Sequence, residues 1–336
     1  MRRPVDGPEA EGRLGKLIRV EGLTKFYGSV PAIEDISFRV ERGEILGFLG
    51  PNGAGKSTTM RILTGFMPPT SGSAWVADMN VAERPLEVKR SIGYMPESNP
   101  LYLDMTVTAY LGYMVSLKGV AGAARRDAVA RVVGSCGLES VASRLIGHLS
   151  KGYRQRVGLA QSLVSDPPVL ILDEPTSGLD PAQIIEIRNL IRSLKGSRTI
   201  ILSTHILPEV SLVCDRVVVI HQGRVAFEGA LDSLATSVKE DDVLRVSAIG
   251  SAEALQGRLS AVPGVRQVRR TGASNGEVHF EVRAERGREV RPALAAAVPA
   301  ASGQLTELRR ERLTLEDLFV RIVSGERKHE GEAAHV

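Results

Sequence analysis

The chain has 336 residues, of which 43% are hydrophobic and 24% are charged, a composition typical of a globular protein with about two domains. Aromatic residues account for only 4%, which argues against a surface that stacks on bases. The net charge is +4, and acidic and basic residues are interspersed without a long basic run. We therefore expect no nucleic-acid partner. No apolar run is long enough to cross a bilayer, which predicts that any membrane role depends on a partner. Cys136 and Cys214 match no metal or redox spacing and are typical of thiols in a reducing compartment.

The first part of the chain has the pattern of an α/β layer fold. Residues 1–16 are charged and contain Pro and Gly, and we expect a disordered lead there. Short apolar strands then alternate with helical patterns over 17–240. Three nearly continuous apolar runs, at 44–50, 169–173 and 199–204, are typical of parallel strands buried on both faces. These features predict a mixed sheet core with helices on its faces.

The first apolar run leads directly into a phosphate-binding pattern. Residues 50–58, GPNGAGKST, satisfy G-x-x-x-x-G-K-S/T between a predicted strand and a predicted helix. This phosphate loop consists of Gly50, Pro51, Asn52, Gly53, Ala54, Gly55, Lys56, Ser57 and Thr58. The backbone N–H groups of such a loop surround nucleotide phosphates, Lys56 is expected to reach the β- and γ-phosphates, and the Ser57 hydroxyl is expected to bind Mg²⁺.

A mostly helical insertion is predicted over about 93–165. Its last helix begins in the segment 148–161, where Ser150 precedes a cluster of basic residues. The free backbone N–H groups and the dipole of such a helix start favour an anion. The sequence therefore predicts a second anion site, far along the chain from the phosphate loop.

Two acids and a histidine follow the remaining apolar runs. Asp173 and Glu174 come at the carboxyl end of one run, and His205 follows the other, where ligands bind in α/β sheets. We expect Asp173 to complete the Mg²⁺ shell through water and Glu174 to act as general base on an attacking water. His205 is expected to contact the γ-phosphate and orient that water. Nucleotide hydrolysis is thus predicted, and a kinase, GTPase, helicase or transport motor all remain open at this point.

The chain ends with a second domain. The segments 33–40 and 216–229 have the pattern of antiparallel strands and still belong to the first domain. After residue 240 the order strand, helix, two strands, helix, strand is that of a ferredoxin-like fold, and we predict a separate domain over 243–323 that ends in a helix at 314–323. The polar tail 324–336 is expected to be disordered.

Taken in order, the motifs resemble those of the nucleotide-binding subunits of ABC transporters. The resemblance spans about 17–235, roughly two thirds of the chain. It rests on KFYG (25–28), GPNGAGKST (50–58), LSKGYRQR (149–156), VLILDEP (169–175), SGLD (177–180) and STH (203–205). The resemblance implies the ABC cassette fold, ATP and Mg²⁺ as ligands, and two subunits that enclose two ATP molecules head to tail.

The resemblance also implies roles for further residues. Ser150, Lys151, Gly152 and Tyr153, here called the signature segment, would contact the ATP bound to the opposite subunit. Asp180 would communicate between the two sites, and Tyr27 would stack on adenine. Glu97 stands where the family usually has a Gln that senses Mg²⁺, which would make Glu97 a third metal contact.

Two departures point to a subgroup. The family usually has Gly-Gly-Gln after the signature Ser, where this chain has Lys151, Gly152 and Tyr153. Together with Glu97, this resembles the gliding-motility type of exporter ATPase. VPGV (262–265) and LTLEDLF (313–319) resemble the accessory domain frequent in ABC-2-type exporter ATPases.

The resemblance further implies partners and a location. These are a second copy or a homologous ATPase subunit, and separately encoded transmembrane permease subunits that dock on the region around 94–118 at the cytoplasmic face of the inner membrane. Export of a substrate is the leading expectation. A soluble ABC-type ATPase acting on nucleic acid or ribosomes is the alternative. A P-loop kinase or GTPase ranks below both, because the sequence has no Asn-Lys-x-Asp segment to read guanine.

Overall fold

The computed structural model of the chain describes residues 16–231, 233, 242–274, 276–285 and 287–311. Its residues divide into two compact units, one before and one after about residue 234. The predicted disordered lead, up to residue 15, and the predicted last helix at 314–323 and tail at 324–336 lie outside the described residues. Among the described residues, no helix has the length and apolar content that crossing a membrane requires.

Among the described residues, the first unit combines two sheets with the α-helices given below and two short 3₁₀ helices, Glu139–Val141 and Ile146–His148. Its strands are β1 (Lys16–Tyr27), β2 (Val30–Glu41), β3 (Ile45–Leu49), β4 (Ser71–Val76), β5 (Met79–Asn80), β6 (Ile92–Met95), β7 (Val169–Asp173), β8 (Thr199–Thr204), β9 (Arg216–His221) and β10 (Arg224–Ala230). Its helices are α1 (Lys56–Leu63), α2 (Pro85–Ser91), α3 (Val107–Leu117), α4 (Ala124–Ser135), α5 (Lys151–Leu163), α6 (Pro181–Ser193) and α7 (Leu207–Ser211).

The central sheet has the strand order β10-β9-β3-β8-β7-β6. Strands β6, β7, β8, β3 and β9 run parallel, and every residue of β3, β7 and β8 is buried, which confirms the prediction from the three apolar runs. Strand β10 pairs antiparallel with β9 through a turn in which Gln222 and Gly223 have φ of 47° and 75°, as a tight hairpin requires. In the parallel register Leu49 pairs with Thr204, and Asp173 pairs with Ser203. The carboxyl ends of β3, β7 and β8 therefore meet at one edge of the sheet.

A second sheet and a helical layer complete the first unit. Strands β2, β1, β4 and β5 form an antiparallel sheet that shares an apolar core with α1 and one face of the central sheet. Helices α3, α4 and α5 form a second apolar core against the other face of the central sheet. Strand β6 belongs to the central sheet although the sequence analysis placed its residues at the start of the helical insertion. Its four residues are too few to show a strand period, and a Cβ atom at Gly93 would overlap the carbonyl oxygen of Ser162 in α5.

The second unit has the predicted ferredoxin-like fold. It contains β11 (Asp242–Ile249), α8 (Ala252–Ser260), β12 (Val265–Ser274), β13 (Glu277–Ala284), α9 (Arg291–Ala300) and β14 (Gln304–Glu311). The sheet order is β12-β13-β11-β14, and all pairs are antiparallel. Strand β13 alternates buried and half-buried residues, and its buried face shares a core with α8 and α9.

Candidate functional site

The phosphate loop connects β3 to α1 in a conformation that needs glycine. Gly55 precedes the helix with φ of 107°, which side chains other than that of Gly rarely allow. A Cβ atom at Gly55 would lie 2.7 Å from the carbonyl oxygen of Ala32, and one at Gly50 would overlap the carbonyl oxygen of Ile220. The two glycines therefore let the loop lie directly against β2 and β9.

The start of α1 offers donors to an anion. Within the described part of the chain, the backbone N–H groups of Gly55, Lys56 and Ser57 have no hydrogen-bond acceptor. Asn52 and Gly53 are exposed, so the loop is open to solvent. Free N–H groups at a helix start, together with the helix dipole, fit the phosphates of a nucleotide.

Lys56 is buried and lies over the start of the loop. Its ammonium group donates to the carbonyl oxygens of Gly50 at 2.7 Å and Pro51 at 3.2 Å. The same Nζ atom lies 3.3 Å from Oε1 of Glu174. The lysine thereby connects the loop after β3 to the acid after β7.

Glu174 also contacts His205. Its Oε2 atom lies 2.7 Å from Nδ1 of His205, while the histidine side chain stays 42% exposed and that of Glu174 8% exposed. Glu174 has a left-handed φ of 49°, a strained conformation for a residue with a side chain, and its N–H donates to the carbonyl oxygen of Ser203 at 3.1 Å. The structure therefore brings together Lys56, Glu174 and His205. Glu174 and His205, for which the sequence analysis predicts a catalytic role, are called the catalytic pair below.

Asp173 lies beside this cluster at the end of β7. Its side chain is buried and accepts a hydrogen bond from the Ser203 hydroxyl. Tyr94, at the end of β6, was missed by the sequence analysis. Burial raises the pKa of Tyr94 to about 12, and the charges of Asp173 and Glu97 add to this rise. The signal available in the sequence was an aromatic residue three positions before Glu97.

The oxygen atoms at this edge suit Mg²⁺. Ser57 is half-buried at the start of α1, and Glu97 is exposed in the segment after β6. One hydroxyl and one or two carboxylates, completed by nucleotide phosphates and water, form the kind of site that Mg²⁺ prefers. Among the described residues no group of three His, Cys, Asp or Glu side chains forms a metal cage of its own. The side chain of Asn99 donates a hydrogen bond to that of Gln155, and this bond joins the chain after β6, which contains Glu97, to α5.

The signature segment forms the first turn of α5. The Ser150 hydroxyl accepts the N–H of Tyr153 at 3.3 Å and caps the helix, which begins in the predicted segment. Gly152 is buried, and a Cβ atom there would lie 2.6 Å from Cδ of Gln183 in α6. A Cβ atom at Gly178 would overlap Nζ of Lys151. The starts of α5 and α6 are therefore neighbours.

Among the described residues, Asp180 and Tyr27 form hydrogen bonds with partners other than the catalytic pair. Asp180 caps α6 by accepting the N–H of Gln183 at 2.9 Å. In the described residues, no side-chain hydrogen bond or ion pair joins Asp180 or the signature segment to the catalytic pair. Tyr27 ends β1 with its ring 47% exposed, and its hydroxyl donates to Sδ of Met67 at 3.2 Å. Its ring is open to a ligand, and stacking on adenine stays a prediction.

The geometry of the site defines a class of protein. The site combines a buried parallel strand, a glycine loop with free N–H groups, a buried lysine over that loop and an acid after β7. These are the elements of a P-loop nucleotide-binding protein.

Comparison with known proteins identifies the family. The model of the family described as "ABC transporter" matches residues 33–177. The Nod factor export ATP-binding protein I of Burkholderia orbicola (strain AU 1054) is 37% identical over 245 residues, which is 73% of this chain and 80% of that protein. A solved structure of an ATP-binding subunit of an ABC transporter is similar with a TM-score of 0.61 and 33% identity, covering 66% of this chain and 92% of that one. The chain belongs to the ATP-binding proteins of ABC transporters, a family of ATPases.

One relative is much longer than the matched region. The probable multidrug ABC transporter ATP-binding protein YbhF of Escherichia coli (strain K12) is 38% identical over 235 residues. The match covers 69% of this chain and 40% of that protein. The chain thus spans less than half the length of YbhF.

Proposed function

We propose that the chain binds ATP at the phosphate loop and hydrolyses it to ADP and phosphate with the catalytic pair. One observation supports this most strongly: the two carboxylate oxygens of Glu174 contact Lys56 on one side and His205 on the other. In this arrangement Glu174 would accept the proton of water beside Lys56, a cation suited to phosphate, and beside the hydrogen-bonding group of His205.

Each residue of the site has a separate role in the proposed hydrolysis. The free N–H groups of Gly55, Lys56 and Ser57 hold the phosphates, and the Lys56 ammonium group stabilises the negative charge of the transferred phosphoryl group. Phosphates also give Lys56 a second anionic partner, so ATP competes with Glu174 for this cation. Glu174 takes the proton from the attacking water, and His205 orients that water and the γ-phosphate. Ser57, Asp173 and Glu97 would hold Mg²⁺, which would supply positive charge to neutralise the phosphates.

We propose further that two copies, or this chain and a homologue, close head to tail around two ATP molecules. The first-turn N–H groups of Lys151 and Gly152 have no acceptor among the described residues, and Lys151 adds a positive charge beside them. This helix start fits an anion, yet among the described residues no side-chain hydrogen bond or ion pair joins it to the chain's own catalytic pair. A γ-phosphate bound to a partner subunit is the ligand that explains both facts.

We also propose that the dimer drives export through separate permease subunits at the inner membrane. The printed names of the relatives, such as Nod factor export and probable multidrug transport, support this direction. An exposed apolar surface supports a docking partner: Tyr102 is 48% and Tyr113 40% exposed, with ring centroids 5.7 Å apart. Leu103 and Leu117 extend this surface.

Phosphate release by the purified chain tests the enzymatic part. The wild-type chain should hydrolyse Mg²⁺-ATP, and Glu174→Gln should lower kcat by about a hundredfold or more because the proton acceptor is lost. Glu139→Gln removes an exposed acid and serves as the matched control, with no expected change. A Glu174→Gln variant as fast as wild type would overturn the assignment of the general base.

A further inference from the structure

One buried acid, Glu209, has no part in the proposed mechanism but bonds to residues close to the catalytic pair in the sequence. Glu209 belongs to the short helix α7, four residues after His205, and is 7% exposed. Its Oε1 and Oε2 atoms each lie 2.8 Å from the Thr176 hydroxyl, and Oε2 accepts the Thr204 hydroxyl at 2.9 Å. Thr176 and Thr204 are themselves 8% and 1% exposed. One carboxylate is thus shared by two buried threonines from different strand ends.

The two threonines flank the catalytic pair along the chain. Thr176 comes two residues after Glu174, and Thr204 immediately precedes His205. The Thr204 hydroxyl also accepts the N–H of Ile206 at 3.1 Å, which fixes the backbone on both sides of the histidine. Glu209 therefore connects the segment that presents Glu174 to the segment that presents His205.

The chemistry of Glu209 favours this geometric role over a packing role. Among the described residues, no cation forms an ion pair with it. A buried carboxylate without a cation is costly, and an apolar side chain would fill the same space without that cost. What the carboxylate supplies is two acceptor oxygens, which hold two hydroxyl donors at once. An amide keeps one acceptor oxygen but turns the other into an NH₂ donor, so the Thr176 hydroxyl would lose one of its two acceptors.

We propose that Glu209 is a positioning residue for ATP hydrolysis. Through Thr176 and Thr204 it holds Glu174 and His205 at the 2.7 Å separation of their Oε2 and Nδ1 atoms. The catalytic meaning of this contact rests on the proposed function, whereas the contact itself can be tested without nucleotide.

Steady-state kinetics test the catalytic consequence. Glu209→Gln and Thr204→Val should each lower kcat about tenfold, because small displacements of reacting groups have large effects on rate. KM for ATP should stay within about twofold, because the phosphate loop is untouched. Thr204→Ser restores the hydroxyl and should recover most of the rate. Thr199→Val is the matched control, since Thr199 is equally buried at the opposite end of β8, where its hydroxyl accepts the N–H of Gly43 at 2.8 Å.

A spectrum of the protein without nucleotide tests the contact itself. The chain has six histidines, and the ¹⁵N ring signals of His205 can be assigned by their loss in His205→Gln. Glu209→Gln and Thr204→Val should shift these signals, while Thr204→Ser and Thr199→Val should leave them in place.

Each outcome decides one point. Unshifted His205 signals in both Glu209→Gln and Thr204→Val would overturn the proposal. An equal loss of kcat in Thr199→Val would also overturn it, because the loss would then reflect general stability. If the wild-type chain hydrolyses no ATP but the signals shift as expected, the contact stands and the proposed function fails.

Discussion

The ion pair between Lys56 and Glu174 gives a prediction about stability that needs no nucleotide. Both side chains are buried, at 5% and 8% exposure, and the charged atoms lie 3.3 Å apart. Lys56→Met removes the cation and leaves a buried carboxylate, whereas Glu174→Gln removes the anion and leaves the ammonium group on the two loop carbonyls. The two changes should therefore differ in cost, and the double variant should cost less than their sum.

The distance sets the magnitude. At 3.3 Å and an effective dielectric constant of about 20, Coulomb's law gives an attraction of about 5 kcal/mol, and desolvation of both charges offsets part of it. We expect Lys56→Met to lower the free energy of unfolding by about 3 kcal/mol and Glu174→Gln by about 1 kcal/mol. The double variant should lose about 2 kcal/mol, which leaves a coupling of about 2 kcal/mol.

Urea unfolding followed by tryptophan fluorescence measures this coupling in the first of the two structural units. Trp75 is the single tryptophan of the chain and lies in β4, so its signal reports the first unit alone. Four proteins complete the cycle: wild type, both single variants and the double variant. A coupling below about 0.5 kcal/mol would refute the conclusion that the two charges stabilise each other across the loop.

Three further predictions use the same fluorescence assay. Gly93→Ala should lower the free energy of unfolding by about 3 kcal/mol, because its Cβ would overlap a backbone oxygen, whereas Gly112→Ala in α3, with no atom within 4 Å, should raise it by about 0.5 kcal/mol. Equal effects would contradict the close approach of β6 and α5. Ser150→Ala should cost about 1 kcal/mol through the lost helix cap, and no cost would contradict the cap. Burial raises the pKa of Cys136 to about 12 and raises that of Cys214 as well. The unfolded thiols ionise first, so stability should fall above about pH 8.5, by up to about 1.4 kcal/mol per pH unit for each thiol. The double Cys→Ala variant should lack this decline between about pH 8.5 and pH 10, above which the raised pKa of Tyr94 also lowers stability.

Local features of the sequence were sufficient to predict much of the site. Strands β3, β7 and β8 are buried on both faces, so their apolar runs identify them without knowledge of their neighbours. The phosphate loop is contiguous in the sequence, and the parallel order of strands places Glu174 and His205 at one edge. The alternating pattern of β13 likewise indicates the sheet of the second unit.

Contacts between distant residues were not predictable in this way. Strand β6 has four residues, and its place in the sheet depends on Gly93 lying against α5. The pairing of Lys56 with Glu174, and the shared acceptor Glu209, join residues from different strand ends. A glutamate in an apolar helix four residues after His205 was the available signal for Glu209, and it has meaning only once the fold places Thr176 beside it.

Asp180 shows that one residue can have two assignments. The structure gives it the role of cap for α6, which the SGLD motif alone did not indicate. The cap uses one of its two carboxylate oxygens and is compatible with a contact across a dimer. The predicted communication between the two sites therefore stays a prediction.

In the proposed dimer, two subunits enclose ATP between the phosphate loop of one and the signature segment of the other. Light scattering of Glu174→Gln, with and without Mg²⁺-ATP, tests it most directly, because this variant should bind ATP and stall before hydrolysis. We predict that ATP doubles the mass in solution and that adding Ser150→Arg abolishes the doubling. A monomer at saturating ATP, with nucleotide binding shown independently, would contradict the account.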